Sequence, residues 1–283
     1  MIVLAESRYR VFGSPTFRGN PVTLLEVDAL DDSDSLLRAA QGSSTEDNVF
    51  FSAVDGKPIT ARFFSSTAEL WLCGHGLLAL SHHLRAPDVR GMRAVHSPHG
   101  AWHIYADEQR PGVLMPAQRG IEILDSTHWM KQALRGIGME YEQLYLCPND
   151  VWIVVLRTMT ELLGINAEAV AALPYGGTPP GALIAALPMQ DAGYGFRYFA
   201  PWHGKQEDSG TGSAHCYLAP LMSASPAPFT ARQFSPEGVA EMRVCLRGDA
   251  VAMAGRVDLD TEEALDGAAA RSGPNYMPSR AGS

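Results

Sequence analysis

Alternating polar and apolar residues and short apolar runs predict a chain made mostly of strands, with a few helices. Residues 8–12 and 21–27 alternate in this way around a Gly-Asn-Pro turn, and they predict a first hairpin. Further strands are predicted at 60–64, 101–106, 112–115, 142–147, 151–156, 182–187, 196–199, 242–247 and 250–259. Helices are predicted at 36–40, from His75 to about Leu84, and at 127–134, 166–173 and 215–222.

One compound element occurs twice, nearly half a chain apart. It consists of an arginine followed by two aromatic residues, then a four-residue turn with two glycines, then an apolar helix. The first copy has the arginine at 62 and the turn at 73–76, and the second has them at 197 and 209–212. Recurrence at this distance predicts a duplicated domain with one glycine turn in each copy. The length is also that expected of about two domains.

The glycine turns have the chemistry of an anion site. Two glycines allow a tight turn, and the first N–H groups of the following helix lack partners within the helix. Asp208 precedes the second turn, where the positive end of the helix favours its ionised form. His75 lies in the first turn, where the same helix dipole lowers the pKa of the imidazole and keeps it neutral. Helix caps with ordinary turn glycines are the simpler interpretation.

Composition excludes several classes of function. The chain has 46% hydrophobic residues and a net charge of −9, with no cluster of Lys and Arg, so neither nucleic acid nor an anionic membrane is an expected partner. Four widely spaced cysteines show no metal or redox motif and predict a reduced, cytoplasmic protein. No secretion signal is visible, and the apolar runs are too short to cross a bilayer.

Three motifs carry a resemblance to a known family. They are Glu207-Asp208-x-x-Thr211-Gly212-Ser213-Ala214, Glu69 followed by Gly74-His75, and Phe17-x-Gly19-Asn20-Pro21. In this order and spacing the chain resembles the family of the phenazine-biosynthesis isomerase PhzF, within the diaminopimelate-epimerase-like superfamily. The resemblance implies an α+β fold of two similar domains, 1–117 and 118–265, each with a curved, mostly antiparallel sheet around a central helix. Residues 266–283 are expected to form a flexible or loosely docked tail.

The resemblance also implies a site between the two domains, with no metal and no cofactor. Catalysis is assigned to Asp208, His75 and Asp47, and substrate binding to Asn20, Gly74, Gly76, Gly212 and Ser213.

The assignment of Asp47 departs from the family pattern, which has a glutamate three residues before a strand phenylalanine. Counting back from Phe50 gives Asp47, whereas a shift of one residue brings Glu46 into the role. A register set by Phe51 would instead give Asn48 and lose the acid. Alternatively, both acids only cap a turn before the strand.

The expected activity is that of a cofactor-independent isomerase. It would shift a proton or a double bond in a small unsaturated or cyclic carboxylic or amino acid, in a biosynthetic pathway of secondary metabolism such as antibiotic formation, and the family resemblance implies a homodimer. A second hypothesis is a two-base epimerase, racemase or dehydratase of a proline-like amino acid that uses Cys73 and Ser209. A third is a catalytically inactive protein that binds a small acid.

Overall fold

The computed structural model describes residues 2–30, 32–54, 57–86, 89–107, 110–175, 179–190, 193–223 and 227–260, so the predicted tail lies outside the described residues. The strands of the first half are β1 (Val3–Val11), β2 (Asn20–Val27), β3 (Asp47–Ser52), β4 (Ile59–Ser65), β5 (Glu69–Leu70), β6 (Arg93–Ser97), β7 (Gly100–Asp107) and β8 (Arg110–Pro116). Those of the second half are β9 (Ile121–Glu122), β10 (Gln143–Cys147), β11 (Val151–Val155), β12 (Ala182–Pro188), β13 (Tyr194–Ala200), β14 (Lys205–Asp208), β15 (Phe229–Ser235), β16 (Gly238–Arg247), β17 (Ala250–Ala254) and β18 (Val257–Leu259). The helices are α1 (Ser33–Gln41), α2 (Gly74–His83), α3 (Trp129–Gly136), α4 (Met159–Leu163), α5 (Ala167–Ala171) and α6 (His215–Met222).

The two halves repeat one pattern of strand pairing, as the duplicated sequence element predicts. In the first half β1–β2 is antiparallel, β2–β3 parallel, β3–β4 antiparallel and β4–β6 parallel, and β6, β7 and β8 follow as antiparallel neighbours. In the second half β10, β11, β12, β13, β15, β16 and β17 pair in the same order with the same directions. The short strands β5 and β14 occupy equivalent places beside β4 and β13.

Strands from the two halves also pair with each other. β8 lies antiparallel to β17, and β1 lies antiparallel to β18. The sheet therefore continues from one half into the other, and the domain boundary at residue 117 stays a prediction.

Each half wraps its sheet around one apolar helix. In α2 every residue from Gly74 to Ser81 is buried, and in α6 the buried residues run from His215 to Ala219. A helix that is apolar on all sides is stable only when it is enclosed, and curved sheets provide that enclosure. Helix α2 begins inside the first glycine turn, at Gly74, whereas a short 3₁₀ turn at Gly212–Ala214 joins the second glycine turn to α6.

The arginine of each repeat has the same structural role. Arg62 Nε donates to Glu69 at 2.8 Å, and Arg197 Nε donates to Glu207 at 2.7 Å. Each guanidinium also lies over the phenylalanine two residues later in its strand, at 5.4 and 5.0 Å from the ring centroid. The two glutamates of the family motifs thus hold β5 and β14 against the main sheet through paired hydrogen bonds.

Several details differ from the sequence prediction, among them the short strands β6, β9 and β14, which were not predicted. The predicted strand 250–259 divides into β17 and β18, because the chain leaves β16 after Ala254 and pairs next with β1. Helix α4 was not predicted, although Thr158 and Glu161 form a capping box at its start. Strand β15, which pairs with both β13 and β16, was not predicted either.

Candidate active site

The two glycine turns pack directly against each other. A Cβ on Gly74 would lie 2.7 Å from the carbonyl carbon of Gly212 and 2.8 Å from the nitrogen of Ser213, and a Cβ on Gly212 would lie 2.9 Å from the carbonyl carbon of Gly74. Side chains of any size are excluded at both positions because the opposing atoms are backbone. The two backbones thus leave no room for a side chain between the glycines.

A substitution at this contact tests its tightness. Gly74→Ala is expected to lower the free energy of unfolding by about 1–3 kcal/mol, because the added methyl group would overlap the Gly212 backbone. The matched control is Gly136→Ala at the end of α3, where a Cβ meets nothing within 4 Å. Urea unfolding of both variants measures the difference. Equal midpoints in the two variants would contradict the contact.

Asp208, at the end of β14, is buried and held by several donors. Its Oδ1 accepts from Asn20 Nδ2 at 3.2 Å, from the backbone N–H of Ser209 at 3.0 Å and from Lys205 Nζ at 2.9 Å, and its Oδ2 accepts from the Thr211 hydroxyl. Such a set fixes both the orientation and the ionised state of the carboxylate.

The pKa of Asp208 reflects these contacts. Burial by itself would raise the pKa, but the charge of Lys205, the charge that His75 carries when protonated at low pH and the hydrogen bond from Thr211 outweigh burial and lower the pKa to about 2. Asp208 is therefore ionised at neutral pH and is a weak base while Lys205 is beside it.

Asp47, the first residue of β3, faces the same space from the other half. Its side chain is 9% exposed, and its Oδ2 lies 3.1 Å from Lys205 Nζ and 3.5 Å from His75 Nε2. The strand alternation places Asp47 on the same face as Val49 and Phe51, which belong to the main core, while Phe50 points to the opposite side. The two carboxylates are thus linked by a single ammonium group.

Glu46 and Asn48, the other candidates for the acid position, lie elsewhere. The side chain of Glu46 is 71% exposed, although its Oε2 reaches Lys205 Nζ at 3.2 Å from the rim of the site. Asn48 donates from Nδ2 to the carbonyl of Thr45. Asp47 is therefore the acid that this register turns inward.

His75, the second residue of α2, is buried beside Asp47 and Cys73. Burial lowers the pKa of His75, and the charges of Asp47 and Asp208 oppose that shift without reversing it. The imidazole is neutral at pH 7 and can both donate and accept a proton. Cys73 Sγ lies 3.5 Å from His75 Nδ1, and burial, followed by the charge of Asp47, raises the pKa of the thiol well above its usual value.

The remaining predicted site residues lie close by with different surroundings. Asn20 begins β2 and bridges Asp208 and the carbonyl of Gly210. A Cβ on Gly76 would lie 2.6 Å from Val49 Cγ2, so Gly76 packs α2 against β3. Ser209 is buried and bonds to Asp208 through its backbone, while Ser213 is partly exposed in the turn that precedes α6.

Two site residues escaped the sequence prediction. Gln233 on β15 accepts from the Thr211 N–H through Oε1 at 2.5 Å and donates to the Asp208 carbonyl at 2.6 Å, which shapes the second turn. Lys205 begins β14, directly after Gly204, whose φ is +83°.

A β-bulge explains why Lys205 was missed. Regular alternation would send Lys205 and Asp208, three residues apart, to opposite faces. Tyr198 pairs with Asp208, and Ala200 pairs with Lys205. The paired residues are thus three positions apart on β14 but only two positions apart on β13. This extra residue brings both side chains into the site.

Three further features of the described residues concern metal binding, membrane insertion and a surface groove. Among them, no three His, Cys, Asp or Glu side chains are grouped as metal ligands. No helix in the described ranges is long and apolar enough to span a membrane. An open groove of about 1200 Å³ in the second half, lined in part by Trp129, Trp152 and Tyr175, includes none of the predicted site residues.

Comparisons with known proteins agree on one family. The profile of the phenazine biosynthesis-like protein family, PhzC-PhzF, matches residues 9–234. An uncharacterised isomerase of Pseudomonas aeruginosa is 31% identical over 254 residues, which cover 88% of this chain and 93% of the relative. A phenazine biosynthesis-like domain-containing protein of mouse is 25% identical over 270 residues, which cover 88% of this chain and 92% of the relative.

Solved structures show the same fold. A putative PhzC/PhzF protein from Clostridium difficile superposes with a TM-score of 0.72 at 22% identity, over 90% of this chain and 96% of its own. A hydroxyproline epimerase from Agrobacterium vitis, with trans-4-hydroxy-L-proline bound, superposes with a TM-score of 0.53 at 8% identity, over 91% and 92% of the two chains. The fold is the α+β fold of two curved sheets around central helices that the motifs imply. With its glycine turns, acid pair and relatives named isomerases, the chain belongs to the phenazine biosynthesis-like PhzC-PhzF family of isomerases.

Proposed function

We propose that this isomerase works without a cofactor and moves a proton, and with it a double bond, between carbons of a small unsaturated or cyclic carboxylic or amino acid. The observation that carries the proposal is the buried contact of Asp47 Oδ2 with His75 Nε2, at 3.5 Å, opposite the anchored carboxylate of Asp208. An acid and a neutral imidazole in contact can pass a proton between them and to a substrate carbon.

The different hydrogen-bond partners of Asp208 and Asp47 suit the two carboxylates to different roles. Asp208 accepts from four different residues and is held as a weakly basic anion, which suits it to orient the site and to stabilise positive charge. Asp47 contacts only Lys205 and His75 among the side-chain polar partners described for it. We therefore assign removal of the substrate proton to Asp47 and transfer of the proton to His75.

The reaction balances without an added reactant. The C–H bond next to the carboxyl group or its conjugated double bond breaks, and Asp47 takes the proton while the electron pair spreads into the carboxyl group. His75 or Asp47 then returns a proton to another carbon of the same system, which completes the shift of the double bond. General acid–base transfer of this kind contributes about 10²- to 10⁴-fold in rate.

The glycine turns supply stabilisation of the developing negative charge. The first N–H groups of α2 lie in the first turn, and those of the 3₁₀ turn Gly212–Ala214 lie at the second. Helix N-termini favour carboxylates and enolates. Removing one such donor from an oxyanion site typically costs about 3 kcal/mol. The substrate carboxylate would therefore bind at the turns, with its reacting carbons toward Asp47.

Product analysis tests the proposed function. The protein is incubated with a panel of small unsaturated and cyclic carboxylic and amino acids, and the products are identified by nuclear magnetic resonance. Migration of a double bond supports the proposal. Inversion of a stereocentre without migration would support the epimerase, and binding without any reaction would support the inactive acid-binding protein.

The epimerase remains a second candidate because Cys73 contacts His75 and because a hydroxyproline epimerase shares the fold. The protonated state favoured by burial of the thiol speaks against Cys73 as a base.

Cys73→Ala is therefore expected to retain activity within about threefold, since the thiol takes no proton in the proposed reaction. Turnover of a substrate identified in the panel measures the effect, with Cys245→Ala, a buried cysteine outside the site, as control. A loss of several orders of magnitude at Cys73 alone, with substrate protecting the thiol from alkylation, would favour the two-base epimerase.

A further inference from the structure

Three carboxylates converge on one ammonium group in the site. Lys205 Nζ lies 2.9 Å from Asp208, 3.1 Å from Asp47 and 3.2 Å from Glu46. The Asp208 and Asp47 side chains are 7% and 9% exposed, whereas those of Lys205 and Glu46 are 26% and 71% exposed. The lysine thus enters from the rim and reaches between two buried acids.

The buried acids need this cation. Two carboxylates in one site cannot both remain ionised without compensation, and one of them then binds a proton more tightly. Among the described residues, the other titratable groups around them are Cys73, which precedes α2, His75 on α2 and Tyr198 on β13. None of these supplies positive charge at neutral pH. The amide of Asn20 donates a hydrogen bond to Asp208 but carries no charge.

We propose that Lys205 is a positioning residue whose ammonium group keeps Asp47 and Asp208 ionised together before a substrate binds. The charge state follows from these contacts alone; its catalytic meaning, that Asp47 is ready to accept a proton, rests on the proposed function.

Two further observations support the role of Lys205. Burial would lower the pKa of its ammonium group, but the charges of Asp208 and Asp47 raise that pKa well above the usual value, so the cation persists over the whole physiological range. Lys205 also contacts the Oδ2 of Asp47 that faces His75. Glu46 at the rim is a further partner of the same ammonium group, at 3.2 Å.

The first test removes the charge at nearly constant side-chain length. Carboxyl signals of ¹³C-labelled aspartate are titrated by nuclear magnetic resonance in the wild type, Lys205→Met, Lys205→Arg and the exposed control Lys57→Met, with Asp47→Asn and Asp208→Asn used to assign the signals. In Lys205→Met, one carboxyl signal of the pair is expected to titrate at least about one pH unit higher than in the wild type. The arginine variant and the control are expected to match the wild type. Unchanged titration of the pair in a folded Lys205→Met protein would overturn the proposal.

The second test needs no variant at the site. The chain has three lysines, at 57, 131 and 205, so reductive methylation with ¹³C-formaldehyde gives three lysine signals beside that of the α-amino group. The lysine signals are assigned with Lys57→Met and Lys131→Met. The Lys205 amine is expected to titrate at higher pH than the Lys57 amine. Titration of both at the same pH would overturn the proposal even if Lys205→Met failed to fold. Neither test involves a substrate, so a failed isomerase assay leaves both results interpretable.

Discussion

Asp47→Asn is expected to lower turnover by about 10²- to 10⁴-fold without loss of the fold, because asparagine keeps the volume of the side chain but cannot accept the substrate proton. The buried carboxylate lies beside His75 and Lys205, and the amide can still hydrogen-bond to the lysine. Turnover is measured on a substrate found in the acid panel, and circular dichroism checks the fold.

The neighbouring acid is a matched control. Glu46→Gln is expected to change turnover by less than about threefold, since the Glu46 side chain is 71% exposed and its described contact with the site is through Lys205. Equal, mild losses in the two variants would mean that neither acid takes the proton. Loss of turnover in Glu46→Gln together with full turnover in Asp47→Asn would show that Glu46 accepts the substrate proton.

Asp208→Asn is expected to reduce turnover by about 10²-fold or more, for a different reason. The carboxylate accepts hydrogen bonds from Asn20, Ser209, Thr211 and Lys205. In asparagine one carboxylate oxygen is replaced by an NH₂ group, which cannot accept a hydrogen bond from these donors. The second glycine turn and Lys205 would then lose their common anchor, and small displacements of reacting groups cost rates of this order.

Asp249→Asn, at an exposed aspartate whose side chain is 98% exposed, is the control for this change and is expected to leave turnover unaltered. The fold of Asp208→Asn is expected to persist because Lys205 keeps Asp47 and Glu46 as partners. If Asp208→Asn retained more than about a tenth of the activity, Asp208 would not be required for catalysis.

Local patterns in the sequence predicted much of the fold. The repeated arginine-aromatic strand and glycine turn indicated the duplication, and both halves do share one order of strand pairing. The apolar character of residues 77–80 and 215–219 likewise predicted the two enclosed helices. These features depend on residues near one another in the chain, where periodicity and turn chemistry are informative.

The geometry of the site could not be predicted from the sequence, because it depends on contacts between residues far apart in the chain. Lys205 and Asp208 share a face only because of the bulge against β13, and Gln233 reaches the second turn only because β15 lies parallel to β13. The direct contact of Gly74 with Gly212 is set by how the two halves meet. The sequence predicted one glycine turn in each half but not that the backbones of the two turns touch.

Deuterium exchange tests the central claim most directly. The wild type, Asp47→Asn and Glu46→Gln are incubated with the acid panel in heavy water, and carbon-bound deuterium is measured by mass spectrometry. The proposed function predicts that at least one acid gains deuterium with the wild type and with Glu46→Gln, and that Asp47→Asn slows this exchange by about 10²-fold or more. Exchange that proceeds equally fast in Asp47→Asn, or no exchange of any acid by the wild type, would contradict proton transfer by Asp47.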